Sequence, residues 1–258
     1  MKKGLSLFAL DGKTAVVTGA SRGIGEAISR QLAEMGAHVV MADLVDDVKG
    51  TAQKLSEEGL NVSPALLDVT DSAAVAALAD SVVETHGHVD ILVANAGIVN
   101  DDTTETTSDA TLKAVMDVNV NGVFYCIRAF GQKMLAQGSG SIIGISSISG
   151  VRAVHPERHS VYDASKAAVA HFCKAIGVEW AGRGVRVNAV GPGYTNTTIL
   201  QGVGRENPEV MKRWLHDIPM KRLLEPSEIA ATIGFLASDA ASGITGQLVM
   251  TDAGYSVA

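Results

Sequence analysis

Seven short, continuous apolar runs alternate along this chain with longer alanine-rich stretches, and that alternation constrains the fold more than any other feature. The runs are TAVVTG, HVVMAD, PALLDV, DILVANAG, GSIIGISS, RVNAVGPG and GQLVMTD. Each reads as a strand buried on both faces rather than one with a wet side. Helical stretches fall between them at about 25–35, 46–58, 72–85, 111–135, 160–181 and 226–238. A βαβα order of this kind predicts an α/β fold, a doubly wound and mainly parallel sheet with helices on both faces. No repeat, low-complexity tract or linker divides the 258 residues, so a single domain is expected. Apolar residues make up 47% of it and aromatics 4%, which implies a core of Ala, Val, Ile and Leu.

The first run feeds straight into TGASRGIGEAI, where Gly19, Gly23 and Gly25 have the spacing G-x-x-x-G-x-G. Residues without a Cβ let a strand turn tightly into a helix, bringing backbone N–H groups and the helix N-terminus close to a pyrophosphate. Its place between the first strand and the first helix favours a dinucleotide site over a plain turn. The second run ends in Asp43, eighteen residues beyond Gly25. A carboxylate there can accept hydrogen bonds from an adenosine ribose and repel a 2′-phosphate, which favours NAD over NADP. Arg22, inside the glycine turn, is an available phosphate partner and keeps NADP open.

In SVYDASKAAV, Tyr162 and Lys166 stand four residues apart and share one helix face, while Ser160 and Asp163 have the spacing of a capping box. Alone, the pair reads as a packed phenol and a solvated ammonium. Two excursions break the strand–helix rhythm. GVRAVHPERHSV precedes the Tyr162 helix, and residues 194–220 separate the last two strands, a length typical of a lid or binding loop. Both are expected at the carboxyl ends of strands, where open α/β sheets bind ligands.

The net charge of -7 and the lack of a Lys/Arg cluster argue against a nucleic-acid partner. No apolar run approaches a membrane span, and the opening MKKGLSLFALDGK is too short for a signal-peptide core, so a cytoplasmic protein is expected. Cys126 and Cys173 lie in apolar helical stretches without metal spacing and read as buried thiols. No His/Asp/Glu set has the spacing of a metal site.

TGASRGIG, NAG at 95–97, NVNG at 119–122, SIIGISS, YDASK, NAVGPG and FLASDAASGITG together resemble the short-chain dehydrogenase/reductase family, in order and over essentially the whole chain. Ala253, in TDAGYS, replaces a glycine common in that family. The resemblance implies a Rossmann-type fold and a role for each matching residue. Gly19, Ser21, Arg22, Gly23, Ile24 and Gly25 would hold the pyrophosphate, Asp43 the adenosine ribose, and Asp68 with Val69 the adenine. Asn95, Ala96 and Gly97 would pack beside that ribose, and Pro192, Gly193, Thr195 and Thr197 would position the nicotinamide. Asn119, Ser147, Tyr162 and Lys166 would form the catalytic group, with Tyr162 and Lys166 also touching cofactor. Spacing alone does not choose among Ser146, Ser147 and Ser149; the family pattern points to Ser147. It also implies a water on Asn119 that relays protons from Lys166, and assembly as a homotetramer through the helices at 111–135 and 160–181.

The chemistry explains these residue types. Oxidising an alcohol removes a hydroxyl proton as hydride leaves carbon for the nicotinamide, so the protein must supply a base. A free phenol, with a pKa of about 10, is a poor base at neutral pH. Lys166 is expected to favour the phenolate of Tyr162, and the serine hydroxyl to donate to the carbonyl or alkoxide. Fifteen residues separate Ser147 from Tyr162, about two more than in many members of the family. That longer loop and the later motifs look like the branch acting on sugar alcohols and ketoses, for which Asn100, His155, Arg158, Asn196 and Gln201 are polar candidates beside Ser147 and Tyr162. An NADPH-dependent 3-oxoacyl-carrier-protein reductase and a non-catalytic dinucleotide-binding regulator remain the alternatives.

Overall fold

The computed structural model describes residues 4–258, so Lys2 and Lys3 of the opening segment lie outside the described residues. Seven strands, β1 (Thr14–Thr18), β2 (His38–Asp43), β3 (Val62–Leu66), β4 (Ile91–Ala94), β5 (Gly140–Ile145), β6 (Val185–Pro192) and β7 (Leu248–Thr251), form one parallel sheet in the order β3-β2-β1-β4-β5-β6-β7. The expected doubly wound α/β fold is therefore the one that forms.

The continuous apolar runs follow from the sheet having two covered faces. Successive residues point to opposite sides of a strand. Val17, Val39, Met41, Ile91 and Val93 pack on one face under α1 (Gly23–Glu34), α2 (Asp47–Glu57) and α9 (Pro226–Ala237). Val16, Val40, Ala42, Leu92 and Ile142 pack on the other under α3 (Ser72–His86), α5 (Val123–Gln137) and α6 (Ser160–Trp180). Burying each larger aliphatic side chain contributes roughly 1.5–3 kcal/mol, so neither face tolerates a polar alternation. Cys126 and Cys173 are buried free thiols on the second face, and burial pushes both up to about 12.

The strand order reverses between β1 and β4, which opens a crevice at the carboxyl edge of the sheet. The glycine turn after β1 and the loops after β4, β5 and β6 all face that edge.

Three local expectations are revised. The single helix expected over 111–135 is instead α4 (Asp109–Met116), a π-helical segment Asp117–Gly122, and α5. The wider turn carries Asn119, whose side chain is tied to the loop after β4; such π segments recur at functional sites. The excursion at 194–220 contains two helices, α7 (Thr198–Glu206) and α8 (Pro208–Asp217), the first capped by Thr197 and the second opened by Pro208. The capping box at Ser160 and Asp163 does not form, because Ser160 is already inside α6 and its hydroxyl is bonded to Thr104 at 2.9 Å. Asp163 instead lies 2.9 Å from His159 Nδ1. Near the C-terminus, Ala253 stands at φ 55, a left-handed conformation that costs a residue with a Cβ roughly 1–2 kcal/mol, which accounts for glycine in the related pattern.

Candidate active site

The glycine turn is built by exclusion of side chains. Gly19 has φ +67, and a Cβ there would stand 2.9 Å from the Ala96 Cα. A Cβ on Gly25 would lie 2.0 Å from the Gly19 carbonyl oxygen, so the start of α1 can close onto the end of β1 only through glycine. Asn95 locks this contact by donating from Nδ2 to the Thr18 and Gly19 carbonyl oxygens at 2.9 and 3.0 Å. The Thr18 hydroxyl accepts from the Asn95 and Ala96 N–H groups, each at 3.1 Å. Thr18 was not singled out from the sequence, although it directly precedes Gly19 in VVTG.

Asp43, at the end of β2, accepts from the Ser21 N–H at 3.0 Å and from the Ser21 hydroxyl. Its carboxylate thus faces the turn. Arg22 is exposed at the N-cap of α1. A cleft of about 290 Å³ runs from Gly23 along Thr197, Thr198 and Pro226. Asp68 is exposed and bonded to Thr70, while Val69 is buried. Across the cleft Gly193 follows Pro192, donating its N–H to Thr251 at 2.9 Å, and the Thr195 hydroxyl donates back to the Gly193 carbonyl at 2.9 Å. A narrow glycine cradle, a helix N-terminus and a carboxylate at the neighbouring strand end together fit a nicotinamide dinucleotide.

Tyr162, Lys166, Ser147 and Asn119 converge beside this crevice from α6, the loop after β5 and the π segment. The Ser147 hydroxyl acts on the Tyr162 phenol to lower it, and it accepts from the Ser149 N–H at 3.1 Å. Ser146 is committed elsewhere, donating to the Lys166 carbonyl at 2.8 Å, so geometry separates the serines that spacing could not. Lys166 Nζ donates to the Ile145 carbonyl at 2.9 Å and lies 5.6 Å from the centre of the Tyr162 ring. Asn119 is fully buried; it accepts from the Ile98 N–H and donates to the Ile98 carbonyl, both at 2.8 Å, and donates to the Ser165 hydroxyl at 3.0 Å. This holds residues 97–98 against the lysine, since a Cβ on Gly97 would lie 3.2 Å from Lys166 Nζ and 3.3 Å from Asn119 Oδ1.

Electrostatics push the two titrating groups in opposite directions. Burial drives the Tyr162 phenol upward; the Ser147 hydrogen bond opposes this, and the Asp163 carboxylate adds to it. Burial drives Lys166 down to about 8. Ser165, Thr18 and the pair His159–Asp163 were not named as site residues from the sequence. Of these, His159 lies edge-on to Tyr162 with ring centres 5.2 Å apart.

A buried ammonium is costly, and its cost is readable in stability. Burial holds Lys166 in the folded protein down to about 8, below the ordinary lysine value of about 10.4. The penalty is therefore full below pH 8 and fades as pH rises toward the unfolded value. Lys166→Met is expected to raise Tm by about 5 °C at pH 7, from relief of on the order of 3 kcal/mol less the lost hydrogen bond. The gap should shrink by pH 10 in a calorimetric series; a gap that does not vary with pH would contradict the assignment.

The polar residues expected around substrate do not all gather here. His155 lines a separate cavity of about 230 Å³ with Arg152, Tyr255 and Ala258. Arg158 is exposed, its backbone N–H 3.3 Å from Asp101. Asn196 is bonded to Glu225 and Gln201, each at 3.0 Å, and lines the cleft beside the glycine turn. The Asn100 amide is buried with neither end hydrogen-bonded among the described residues.

A family model described as Enoyl-(Acyl carrier protein) reductase matches residues 19–256. The chain belongs to the short-chain dehydrogenase/reductase family. It is accordingly an oxidoreductase. Galactitol 2-dehydrogenase (L-tagatose-forming) of Cereibacter sphaeroides is 44% identical to it over 253 residues, 98% of each chain. Galactitol 2-dehydrogenase of Rhizobium johnstonii is 41% identical over 249 residues, 96% of each chain. The crystal structure of a gluconate 5-dehydrogenase from Burkholderia cenocepacia J2315, in complex with NADP and tartrate, superposes with TM-score 0.91 at 33% identity, covering 98% of both chains.

Proposed function

We propose that this short-chain dehydrogenase/reductase interconverts a polyol and its ketose with NAD, using Tyr162 as the proton carrier. The observation that carries the reading is the convergence of Tyr162, Ser147, Lys166 and Asn119 on the crevice beside the glycine turn. The galactitol dehydrogenases similar to it over nearly their whole length support the polyol class. So does Asn100, whose buried amide can both donate to and accept from a hydroxyl.

Gly19, Ser21, Arg22, Gly23, Ile24 and Gly25 would hold the dinucleotide's pyrophosphate, Asp43 its adenosine ribose and Asp68 with Val69 its adenine. Asn95, Ala96 and Gly97 would flank that ribose, while Pro192, Gly193, Thr195 and Thr197 would seat the nicotinamide ring. The bound nicotinamide supplies the hydride acceptor in oxidation and the donor in reduction. In oxidation the Tyr162 phenolate takes the hydroxyl proton as the carbon–hydrogen bond breaks, and Ser147 steadies the oxygen by hydrogen bonding. In reduction the phenol returns that proton. Lys166 carries positive charge beneath the phenol, and Asn119 fixes the backbone that packs against the lysine. The excursion at 194–220 serves as the lid. A cytoplasmic homotetramer suits the absence of a membrane-crossing helix among the described residues and the exposed Leu112, Phe124 and Val178 on α4, α5 and α6.

Asp43 is the residue on which NAD preference rests. Its carboxylate both positions Ser21 and opposes a 2′-phosphate. Asp43→Ala is expected to move the NADP:NAD ratio of kcat/KM toward NADP by about 10–100-fold, the worth of one hydrogen bond to a charged group. A spectrophotometric panel of polyols, hydroxy acids and acyl thioesters with both dinucleotides tests the whole reading. Turnover of 3-oxoacyl thioesters with NADPH, and none of polyols, would replace it with the 3-oxoacyl-carrier-protein reductase alternative.

A further inference from the structure

Glu157 lies in the loop between β5 and α6, five residues before Tyr162. Both its carboxylate oxygens are 3.1 Å from the Tyr194 hydroxyl, and Oε1 accepts from Trp214 Nε1 at 2.6 Å. The two donors stand at opposite ends of the excursion at 194–220. Tyr194 follows Gly193 in the turn after β6, and Trp214 stands on α8. Their rings stack with centres 4.8 Å apart, and Tyr255 meets Tyr194 edge-on at 5.4 Å.

Tyr194 is 9% exposed and Trp214 4%; without the carboxylate the Trp214 N–H would be stranded and the Tyr194 hydroxyl left with Tyr255 alone. Burial and the charge of Glu157 push the Tyr194 phenol upward, which keeps it a donor. The same loop is pinned a second time. Arg152 Nη1 donates to the Tyr255 and Ala258 carbonyls, both at 2.9 Å, and its guanidinium lies over the Tyr255 ring at 5.1 Å. The loop that precedes the proton carrier therefore has its middle fixed to the lid side of the molecule.

We propose that Glu157 is a positioning residue for turnover: it fastens α8 and the turn after β6 to the loop before Tyr162, so that the substrate side of the pocket closes as one unit. This rests on the alcohol–ketone reading above. The carboxylate suits that task because it offers acceptors to two donors from opposite ends of the lid excursion. Loosening it frees the lid without altering the glycine turn.

The test compares the full-length Glu157→Ala, Glu157→Gln and Tyr194→Phe variants with the wild type. Hydrogen exchange over 198–217 reads the lid without any substrate, and KM, kcat and NAD affinity read its consequence. For Glu157→Ala, lid exchange is expected to quicken and the polyol KM to rise, each by about 10-fold or more, with NAD affinity held within about 3-fold. Glu157→Gln keeps an oxygen for Trp214 and should recover most of the KM; Tyr194→Phe, which loses one donor and keeps the stack, should fall between. Should the alanine variant not fold, the other two carry the same comparison. Unchanged lid exchange, or faster exchange with a wild-type KM, would overturn the proposal. If the wild type oxidises no polyol, the functional reading fails on its own. The exchange arm, with turnover of whichever secondary alcohol the enzyme accepts, then decides the role of Glu157.

Discussion

Tyr162→Phe is expected to lower kcat by about 10³-fold while leaving NAD affinity within about 3-fold of wild type, the signature of a lost general acid–base group. The substitution removes one oxygen. The ring keeps its edge-on contact with His159 at 5.2 Å, and Ser147 keeps its bond from the Ser149 N–H. Tm should therefore move little, and the loss should appear in both reaction directions, because the same oxygen takes and returns the proton. Burial pushes that phenol up, against the expectation that Lys166 would draw it down. The ammonium is directed at the Ile145 carbonyl and is itself lowered by burial to about 8. A phenol so placed is ready as the acid for ketone reduction, and the oxidative rate should climb with pH until Lys166 loses its charge. Full activity in the phenylalanine variant would remove Tyr162 from the mechanism.

Gly25→Ala should have the second large effect, on binding rather than chemistry. The added Cβ would meet the Gly19 oxygen at 2.0 Å and Asn95 Nδ2 at 2.8 Å, and both belong to the network that shapes the pyrophosphate cradle. Relief requires the start of α1 to back away from β1. Overpacking of this kind costs about 1–3 kcal/mol, which in a domain of this size lowers Tm by about 2–12 °C. NAD affinity should weaken by about 30-fold or more as the helix N-terminus leaves its place. Gly182→Ala, whose new methyl meets nothing within 4 Å, is the neutral control. Equal NAD affinities in titrations of the two variants would show that the cradle does not depend on this contact.

The sequence was most legible where one residue type has one physical use. Runs such as TAVVT are buried at every position because both sheet faces are covered, and the runs mark all seven strands. The third is the least regular: PALLDV lies at 64–69, whereas β3 is Val62–Leu66. As an edge strand it tolerates Pro64 and an exposed face, and its register is set by pairing with β2, Val39 opposite Val62. The glycine turn was legible because only a missing Cβ permits it. Ser147 was legible only within a trio, since what separates it from Ser146 is a bond to the Lys166 carbonyl, a contact between distant segments.

Other features depended on tertiary direction that spacing does not encode. The π segment at Asn119 arises where its amide reaches the Ile98 backbone, so a helix of ordinary periodicity was expected there. His155, Arg158 and Asn196 are polar and near the right strand ends, yet they face three different environments. Glu157, Tyr194 and Trp214 read as a charge and two core aromatics until the fold brings them together.

The most direct test of the account is hydride transfer from a polyol deuterated at the oxidised secondary carbon, with NAD and the wild-type enzyme. The account predicts deuterium in the reduced nicotinamide, a slowed rate for the labelled substrate, and transfer slowed by about 10³-fold with Tyr162→Phe. Reduced nicotinamide without label, or no reduction of NAD by any polyol, would contradict it.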